Sequence, residues 1–295
     1  VLDAASFDAA ARGADVVFHT AAAVVARGGW EAYRRPNVDG TANAVRAAAS
    51  TGARLLLLSS VAVYGPDARY ASADGGGTDE RATLAPLPDA AYYARSKRES
   101  EAVALDAHAA GRVWATAVRP CVIYGRRDRQ FVPRMARLVR TGFVPVLGGG
   151  RSTLSVVHAA NVAQGAVLAA ASDAAGGRAY NLANDFDVTV AEFFRLAARG
   201  LGRRVRLVPV PLSLARAGVA LAAGAAALLH DRSAGVLLRS SLDFVSRDNP
   251  FNSALAKREL GWRPEMRPEV GVPDAFAWTA RADDGGREQS RRARR

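Results

Sequence analysis

Residues 55–65, LLLLSSVAVYG, place two serines directly after an unbroken apolar run. A short run that is apolar at every position is typical of a strand buried on both faces, as in a parallel sheet covered by helices. Ser59 and Ser60 then lie at the carboxyl edge of that sheet. Open α/β sheets bind their ligands in the crevice at this edge, so the stretch predicts both a fold and the place of a site.

Short β-rich runs and longer amphipathic stretches alternate on both sides of this strand. Residues 15–19 and 114–118 predict two further strands, and residues 31–49 and 92–110 predict helices. This alternation predicts an α/β fold of the Rossmann type, a doubly wound parallel sheet. Beyond Pro120 helices mix with short strands, which predicts a smaller C-terminal α+β region.

Composition excludes several classes of protein. A single cysteine, Cys121, rules out an internal disulfide framework, and the four histidines are far apart and form no metal-binding motif. The formal charge of +12 comes from arginine, since only two of the 40 basic residues are lysines. Arginine is enriched throughout the chain and no recognised binding module accompanies it, so sequence-specific nucleic-acid binding is not predicted. The basic residues 283–295 predict a disordered tail.

The apolar stretch 208–229 raises the question of a membrane span. Pro209, Pro211 and Arg216 interrupt it and leave about a dozen uninterrupted apolar residues, against the ~20 that a span needs. A buried or interfacial helix is predicted, which allows peripheral contact with a membrane. The opening residues show neither a basic region nor an apolar core of a secretory signal, and a cytoplasmic location is expected.

The sequence YARSK, residues 93–97, spaces a tyrosine and a lysine four residues apart on a predicted helix. Residues at this spacing share one face. A tyrosine with an ordinary pKa near ~10 is a poor acid or base at neutral pH, and a nearby ammonium lowers that pKa. The plain alternative is an exposed Tyr/Lys pair, with the two serines merely capping a strand exit. Their place at the sheet edge favours the functional interpretation.

Several stretches, in the right order, resemble the extended short-chain dehydrogenase/reductase family. The matching stretches are DVVFH (15–19) with Ala21-Ala22, NVDGT (37–41), RPCVIYG (119–125), VVHAANVA (156–163), YNL (180–182) and LGWRP (260–264). The stretch Pro209–Leu214 and the long gap from Ser60 to Tyr93 are similar to the 3β-hydroxysteroid dehydrogenase-like branch.

The resemblance implies an NAD(P)-dependent oxidoreductase that interconverts a secondary alcohol and a ketone on a bulky, apolar, steroid-like substrate. It implies that Ser60, Tyr93 and Lys97 are catalytic. The residues it implies for contact with NAD or NADP are Ala21, Ala22, Asn37, Ser59, Tyr93, Lys97, Pro120 and Val122. It divides the chain into a dinucleotide-binding core (1–125), a substrate-binding region whose strands return to the core (126–282) and the tail (283–295), and it allows a homodimer through the helices around Asn37 and Tyr93.

Three alternatives remain open, and one family feature is missing. One alternative is a ketone reductase that acts on a 3-oxoacid or a flavonoid-type ketone. A nucleotide-sugar epimerase or dehydratase would use arginines near the site for a diphosphate, here Arg126, Arg127, Arg129 and Arg134. A catalytically silent dinucleotide-binding sensor or scaffold would not use Tyr93 at all. No GxGxxG or GxxGxxG precedes Asp15, so by the family pattern two N-terminal βα units, on the order of 60 residues, are absent and the chain is expected to be a fragment that binds cofactor poorly.

Overall fold

The computed structural model describes residues 1–26, 28–65, 77–183, 186–228, 238 and 241–292. Residues 66–76, after Gly65, fall outside these ranges. The chain forms two compact units. The first comprises Val1–Cys121, Val162–Asn184 and Pro250–Arg263, and the second comprises Val122–Asn161, Asp185–Asn249 and Pro264–Arg295.

The described helices and strands follow one another in this order: α1 (Ala4–Ala11), β1 (Val16–His19), α2 (Glu31–Tyr33), a π-helical segment (Arg34–Asp39), α3 (Gly40–Thr51), β2 (Arg54–Leu58), a 3₁₀ turn (Val61–Tyr64), α4 (Tyr92–Ala109), β3 (Ala115–Pro120), β4 (Val122–Tyr124), α5 (Phe131–Arg140), β5 (Phe143–Leu147), β6 (Val156–His158), α6 (Ala159–Ala171), β7 (Ala179–Leu182), α7 (Val190–Gly200), β8 (Arg206–Val210), α8 (Leu212–Leu228), α9 (Ala254–Glu259) and α10 (Pro268–Arg292). Residues 241–246 are also helical.

The first unit is built on a four-stranded sheet of order β1-β2-β3-β7, with every neighbouring pair parallel. The leucines at positions 55–57 are buried, as the unbroken apolar run predicts. Alanines of α3 and α4, among them Ala44, Ala48, Ala104 and Ala107, pack in the same apolar cluster as Leu55 and Leu57. Parallel strands with flanking helices confirm the predicted α/β fold class.

The predicted helix 31–49 forms with a π-helical segment inside it, from Arg34 to Asp39. Pro36 lies in this segment, and a proline removes one backbone N–H from the helical hydrogen-bond pattern. Such local widening of a helix is often found at functional sites. The helix ends at Gly52, whose φ of +70° is the left-handed conformation that terminates helices.

The second unit contains two small parallel pairs, β4 with β6 and β5 with β8. Its core centres on Phe193 of α7, whose ring lies 5.7–6.0 Å from those of Tyr124, Phe131, Phe194 and Phe276. A capping box starts α7, in which Thr189 and Glu192 satisfy each other's backbone N–H groups.

Two C-terminal helices bear on predictions made from the sequence. The apolar stretch begins in β8 and continues as α8, in which Leu214 and Leu221 are 65% and 77% exposed. No helix among the described residues is long and apolar enough to cross a membrane. Helix α10 continues to Arg292, into the stretch from residue 283 where disorder is predicted. Adding residues to a formed helix costs little compared with starting one, which accounts for the extension.

Candidate active site

The two serines after β2 emerge at the carboxyl edge of the first unit's sheet. The backbone N–H of Ser59 donates to the Val118 carbonyl at 2.8 Å, so the ladder with β3 reaches the first serine. Ser60 then caps the 3₁₀ turn, because its Oγ accepts from the Ala62 N–H at 3.1 Å. This cap turns the chain away from the sheet and leaves both hydroxyls at its edge.

Tyr93 and Lys97 lie one turn apart at the start of α4, which packs against the 3₁₀ turn and β3. Lys97 is only 4% exposed, and its Nζ donates to the carbonyl oxygen of Leu58 at 2.8 Å. Tyr93 is half-buried and has a hydrogen bond from the Ser60 side chain. The fold therefore brings together the three residues that the sequence predicts to be catalytic.

The electrostatics of Tyr93 differ from the prediction. Burial raises the pKa of Tyr93, and the hydrogen bond from Ser60, rather than Lys97, is what opposes the rise. Burial also lowers the pKa of Lys97 to about 8, with Glu101 acting in the opposite direction. The expectation that Lys97 lowers the Tyr93 pKa is wrong for this structure. The physical reason is that the loss of water around a phenolate outweighs its favourable contacts.

Two polar atoms at this edge are buried and make no hydrogen bond within the part of the chain that the structure describes. They are Nε2 of His19, the last residue of β1, and Oγ of Ser59. Their residues are 3% and 2% exposed. An unpaired buried polar group costs free energy, so such groups indicate a place where a ligand supplies the missing partner.

Asn37 fastens the segment after β1 to the helix that carries Tyr93. Its Oδ1 accepts from the Ala23 N–H at 2.7 Å, and its Nδ2 donates to the Ala23 carbonyl and to Ser96 Oγ. Ser100 adds a hydrogen bond to the Asn37 carbonyl. Both N–H donors of the amide are thus used within the protein. This geometry fits a positioning role, and a cofactor contact by the Asn37 side chain stays a prediction.

The remaining predicted contact residues fall in both units. Ala21 and Ala22 directly follow β1, and Pro120 is the buried last residue of β3. Val122 belongs to β4 in the second unit. Among the arginines of the sugar-nucleotide alternative, Arg126 is held by Asp274 through two hydrogen bonds of 2.7 and 2.6 Å.

Sequence reasoning missed a buried polar network that starts on α4. Glu101 binds Arg119 of β3, whose Nη1 donates to Tyr64 Oη at 2.9 Å. Tyr64 in turn donates to Asn181 of β7 at 2.9 Å. The spacing of Glu101, four residues after Lys97, and the arginine of the RPCVIYG stretch were the available signals.

A serine, a tyrosine and a lysine gathered at the carboxyl edge of a parallel sheet are the arrangement that the resemblance to dehydrogenases and reductases with a dinucleotide-type fold predicts. Residues 1–183 match the model of the NAD dependent epimerase/dehydratase family. The chain belongs to this family. This match and the relatives described next confirm the predicted resemblance to extended short-chain dehydrogenases/reductases of the 3β-hydroxysteroid dehydrogenase-like branch.

Three curated relatives are similar over most of the chain. A 4-hydroxy-2-methyl-3-oxo-4-farnesyl-3,4-dihydroquinoline-1-oxide ketoreductase of Stigmatella aurantiaca is 31% identical, with 92% of this chain and 79% of that protein covered. A 2-alkyl-3-oxoalkanoate reductase of Shewanella oneidensis is 29% identical, with coverages of 89% and 70%. A 3beta-hydroxysteroid-dehydrogenase/decarboxylase of Arabidopsis thaliana is 28% identical, with coverages of 88% and 61%.

Solved structures share the fold at low sequence identity. DesIV, a dTDP-glucose 4,6-dehydratase from Streptomyces venezuelae crystallised with NAD, matches with a TM-score of 0.67 and 24% identity over 96% of this chain and 78% of that one. RMD from Pseudomonas aeruginosa, complexed with NADPH, matches with a TM-score of 0.67 and 16% identity over 95% and 86%. The predicted cofactor, NAD or NADP, is confirmed at the level of the family.

Proposed function

We propose that this protein is an NAD(P)-dependent oxidoreductase that reduces a ketone on a bulky, apolar substrate to a secondary alcohol, with Ser60, Tyr93 and Lys97 as its catalytic residues. The observation that carries the proposal is the meeting of these three side chains at the carboxyl edge of the sheet. Ser60 hydrogen-bonds Tyr93 there, while Lys97 is fixed one helical turn away by the Leu58 carbonyl.

Tyr93 is the proton donor in the reductive direction that we propose. Burial raises its pKa and so favours the neutral phenol. A neutral phenol can donate that proton from Oη to the oxygen of a ketone as the carbonyl is reduced. Ser60 Oγ would hold the same oxygen by a hydrogen bond and stabilise the negative charge that develops on it.

The described residues fit the nicotinamide cofactor that the family uses. The buried Ser59 hydroxyl and the neutral His19 ring present polar atoms without protein partners in the described part of the chain. The Leu58 bond uses one of the three N–H donors of Lys97. Ser59 and Lys97 are therefore the residues we assign to holding the cofactor, and a bound cofactor would supply the hydride.

The names of the relatives support a substrate class. They place an oxo or hydroxyl group at carbon 3 of a molecule with a large apolar part: a farnesylated quinoline, a 2-alkyl-3-oxoalkanoate and a 3β-hydroxysteroid. We propose a 3-oxo compound with an apolar substituent for this chain as well. The sugar-nucleotide alternative rests on Arg127, Arg129 and Arg134, since Arg126 is bound to Asp274, and the similar sugar-nucleotide enzyme shows the fold alone.

A substrate panel with one pair of tyrosine variants tests the proposal. Oxidation of NADH and NADPH is followed with a 2-alkyl-3-oxoalkanoate, a 3-oxosteroid and a nucleoside-diphosphate sugar. We expect turnover with one of the two ketones, and a loss of ~10²–10⁴-fold in Tyr93→Phe. Tyr92→Phe is the matched control, because Tyr92 is the neighbouring half-buried tyrosine and contacts the Tyr33 ring instead.

Two results would contradict the proposal. Turnover confined to the nucleoside-diphosphate sugar would support the epimerase or dehydratase alternative. Full ketone turnover in Tyr93→Phe would remove Tyr93 from the chemistry. Cofactor affinity is measured by fluorescence in both variants. The proposal expects Tyr93→Phe to keep its cofactor affinity, and a loss of that affinity would indicate that Tyr93 binds the cofactor instead of taking part in the chemistry.

A further inference from the structure

Three buried charged side chains lie together in the first unit, and only one of them has a role in the proposed reaction. Lys97, Glu101 and Arg119 are 4%, 6% and 7% exposed. Charged side chains are rarely buried unless they are paired, because an ion that leaves water loses its hydration. The presence of Glu101 and Arg119 beside the catalytic helix therefore calls for an explanation.

Arg119 holds the Glu101 carboxylate firmly. Its Nε donates to both carboxylate oxygens at 3.2 and 3.1 Å, and its Nη2 also bonds Oε1. The other arm of the guanidinium is fixed by Tyr64, which is itself bonded to Asn181. Each of the three guanidinium nitrogens donates to a residue on another element, so Glu101 has little freedom to move.

Glu101 is placed on α4 so that its carboxylate interacts electrostatically with the Lys97 ammonium. It lies four residues after Lys97 on α4, so both side chains share one face of the helix. Burial alone favours the neutral amine, and the Glu101 carboxylate opposes it. The other titratable groups that face the ammonium carry no negative charge: the pKa of His19 is lowered to about 4 by burial and by Lys97, and that of Tyr93 is raised.

Charged groups on the other elements around α4 are engaged elsewhere. Arg98 of α4 itself donates to the Val63 carbonyl, and Arg95 pairs with Glu99 on the exposed side of the helix. The ion pairs on neighbouring elements are Arg34–Glu31, Arg34–Asp39, Arg46–Asp8 and Arg54–Asp173. Glu80 accepts from the Asn181 N–H at 2.6 Å and acts on Arg119 and Tyr64. Within the described residues, Glu101 is therefore the anion that acts on the buried Lys97.

We propose that Glu101, fixed by Arg119, is a positioning residue that keeps the Lys97 ammonium charged beside Tyr93 and Ser60. The network through Tyr64 has a second consequence, because Tyr64 ends the 3₁₀ turn that Ser60 begins. The same ion pair thus ties the lysine and the serine of the site to one scaffold. The importance of this charge for turnover rests on the proposed function, whereas the charge itself can be measured without any substrate.

The composition of the chain makes the measurement direct, since Lys97 and Lys257 are its only lysines. Lysine labelled with ¹³C at Cε gives two NMR signals, and Lys257→Arg assigns them. The Lys97 signal is followed against pH in the wild type and in Glu101→Gln, which removes the charge but keeps the shape. We expect the midpoint for Lys97 to fall by about one pH unit or more in the variant.

A control and a second variant make the result decisive. Glu99→Gln removes an acid from the same helix, on its exposed side, and should leave the Lys97 midpoint unchanged. Because Glu101→Gln leaves Arg119 buried without its partner, it can fail to fold. The double variant Glu101→Gln/Arg119→Gln removes both charges. It should lower the midpoint by less than Glu101→Gln does, because losing the Arg119 cation partly offsets losing the Glu101 anion.

An unchanged Lys97 midpoint in either folded variant would overturn the inference and leave the ion pair a purely structural one. Ketone turnover against pH gives an independent second readout. The alkaline loss of turnover should move to lower pH in Glu101→Gln, in step with the NMR midpoint. A failure of the proposed function is distinguishable, because it would appear as turnover that does not depend on Tyr93 while the Lys97 midpoint still moves.

Discussion

The carboxyl edge of the first unit's sheet and the aromatic core of the second unit are both buried, but they are built from opposite materials. In the core, Phe193 is fully buried and surrounded by other rings. At the sheet edge, Lys97 is buried almost as completely, and polar atoms of His19 and Ser59 are without partners in the described part of the chain.

The difference shows which region stabilises the folded protein and which region destabilises it. Burying a large aromatic side chain stabilises the fold by about 1.5–3 kcal/mol. Leaving a buried donor or acceptor unpaired costs about 1–3 kcal/mol per group. A folded protein tolerates such a cost at a site where a ligand later supplies the partner. The unpaired atoms of His19 and Ser59 therefore support the sheet edge as the site, together with the motif residues that lie there.

The largest expected effect comes from breaking the aromatic core. Phe193→Ala should lower the free energy of unfolding by about 3–5 kcal/mol, because it removes a fully buried ring and leaves a cavity. Urea denaturation measures the loss. Phe193→Leu, which keeps most of the volume, should cost less than about 1.5 kcal/mol. Equal losses in the two variants would show that the core does not depend on close packing at this position.

A smaller effect, confined to acid pH, is expected at the sheet edge. The pKa of His19 is lowered from 6.5 to about 4, chiefly by burial and further by Lys97. Between these values only the unfolded protein takes up the proton, so stability falls as the pH falls from 6.5 towards 4. The loss of stability caused by His19 reaches up to about 3 kcal/mol at acid pH, and it is absent above pH 6.5.

Urea denaturation between pH 7 and pH 4 in the wild type and in His19→Gln isolates this contribution, since glutamine does not titrate. The variant should lose less stability than the wild type over that range, and the difference between the two curves should be flat above pH 6.5. Parallel curves throughout would mean that His19 takes up its proton equally well in the folded protein.

The smallest effect on stability is expected from Ser59→Ala. Because Ser59 Oγ has no partner among the described residues, its removal should change the free energy of unfolding by less than about 1 kcal/mol. Affinity for NADH or NADPH, measured by fluorescence titration, should fall about 5–10-fold, the value of one hydrogen bond. Ser50→Ala is the control, since that hydroxyl bonds the Ala47 carbonyl within α3. An unchanged affinity would remove Ser59 from the cofactor site.

The sequence by itself determined the features that depend on neighbouring residues. The leucines of β2 and the alternation around them fixed a parallel α/β sheet, because apolar periodicity reports which faces are buried. The spacing of Tyr93 and Lys97 fixed their common helical face, and the position of Ser60 at the strand end fixed its edge of the sheet. These relations join residues that are close in the sequence, so they can be read from the sequence alone.

Only the tertiary structure decided the charges of the site. Glu101 and Arg119 are eighteen residues apart and Tyr64 and Asn181 are 117 apart, yet they form one network. The sequence led to the expectation that Lys97 lowers the pKa of Tyr93, whereas in the structure burial raises that pKa. Lys97 itself donates a hydrogen bond to the Leu58 carbonyl. Loss of water around a charge depends on every element that surrounds it, so its sign and size appear only once the chain is folded.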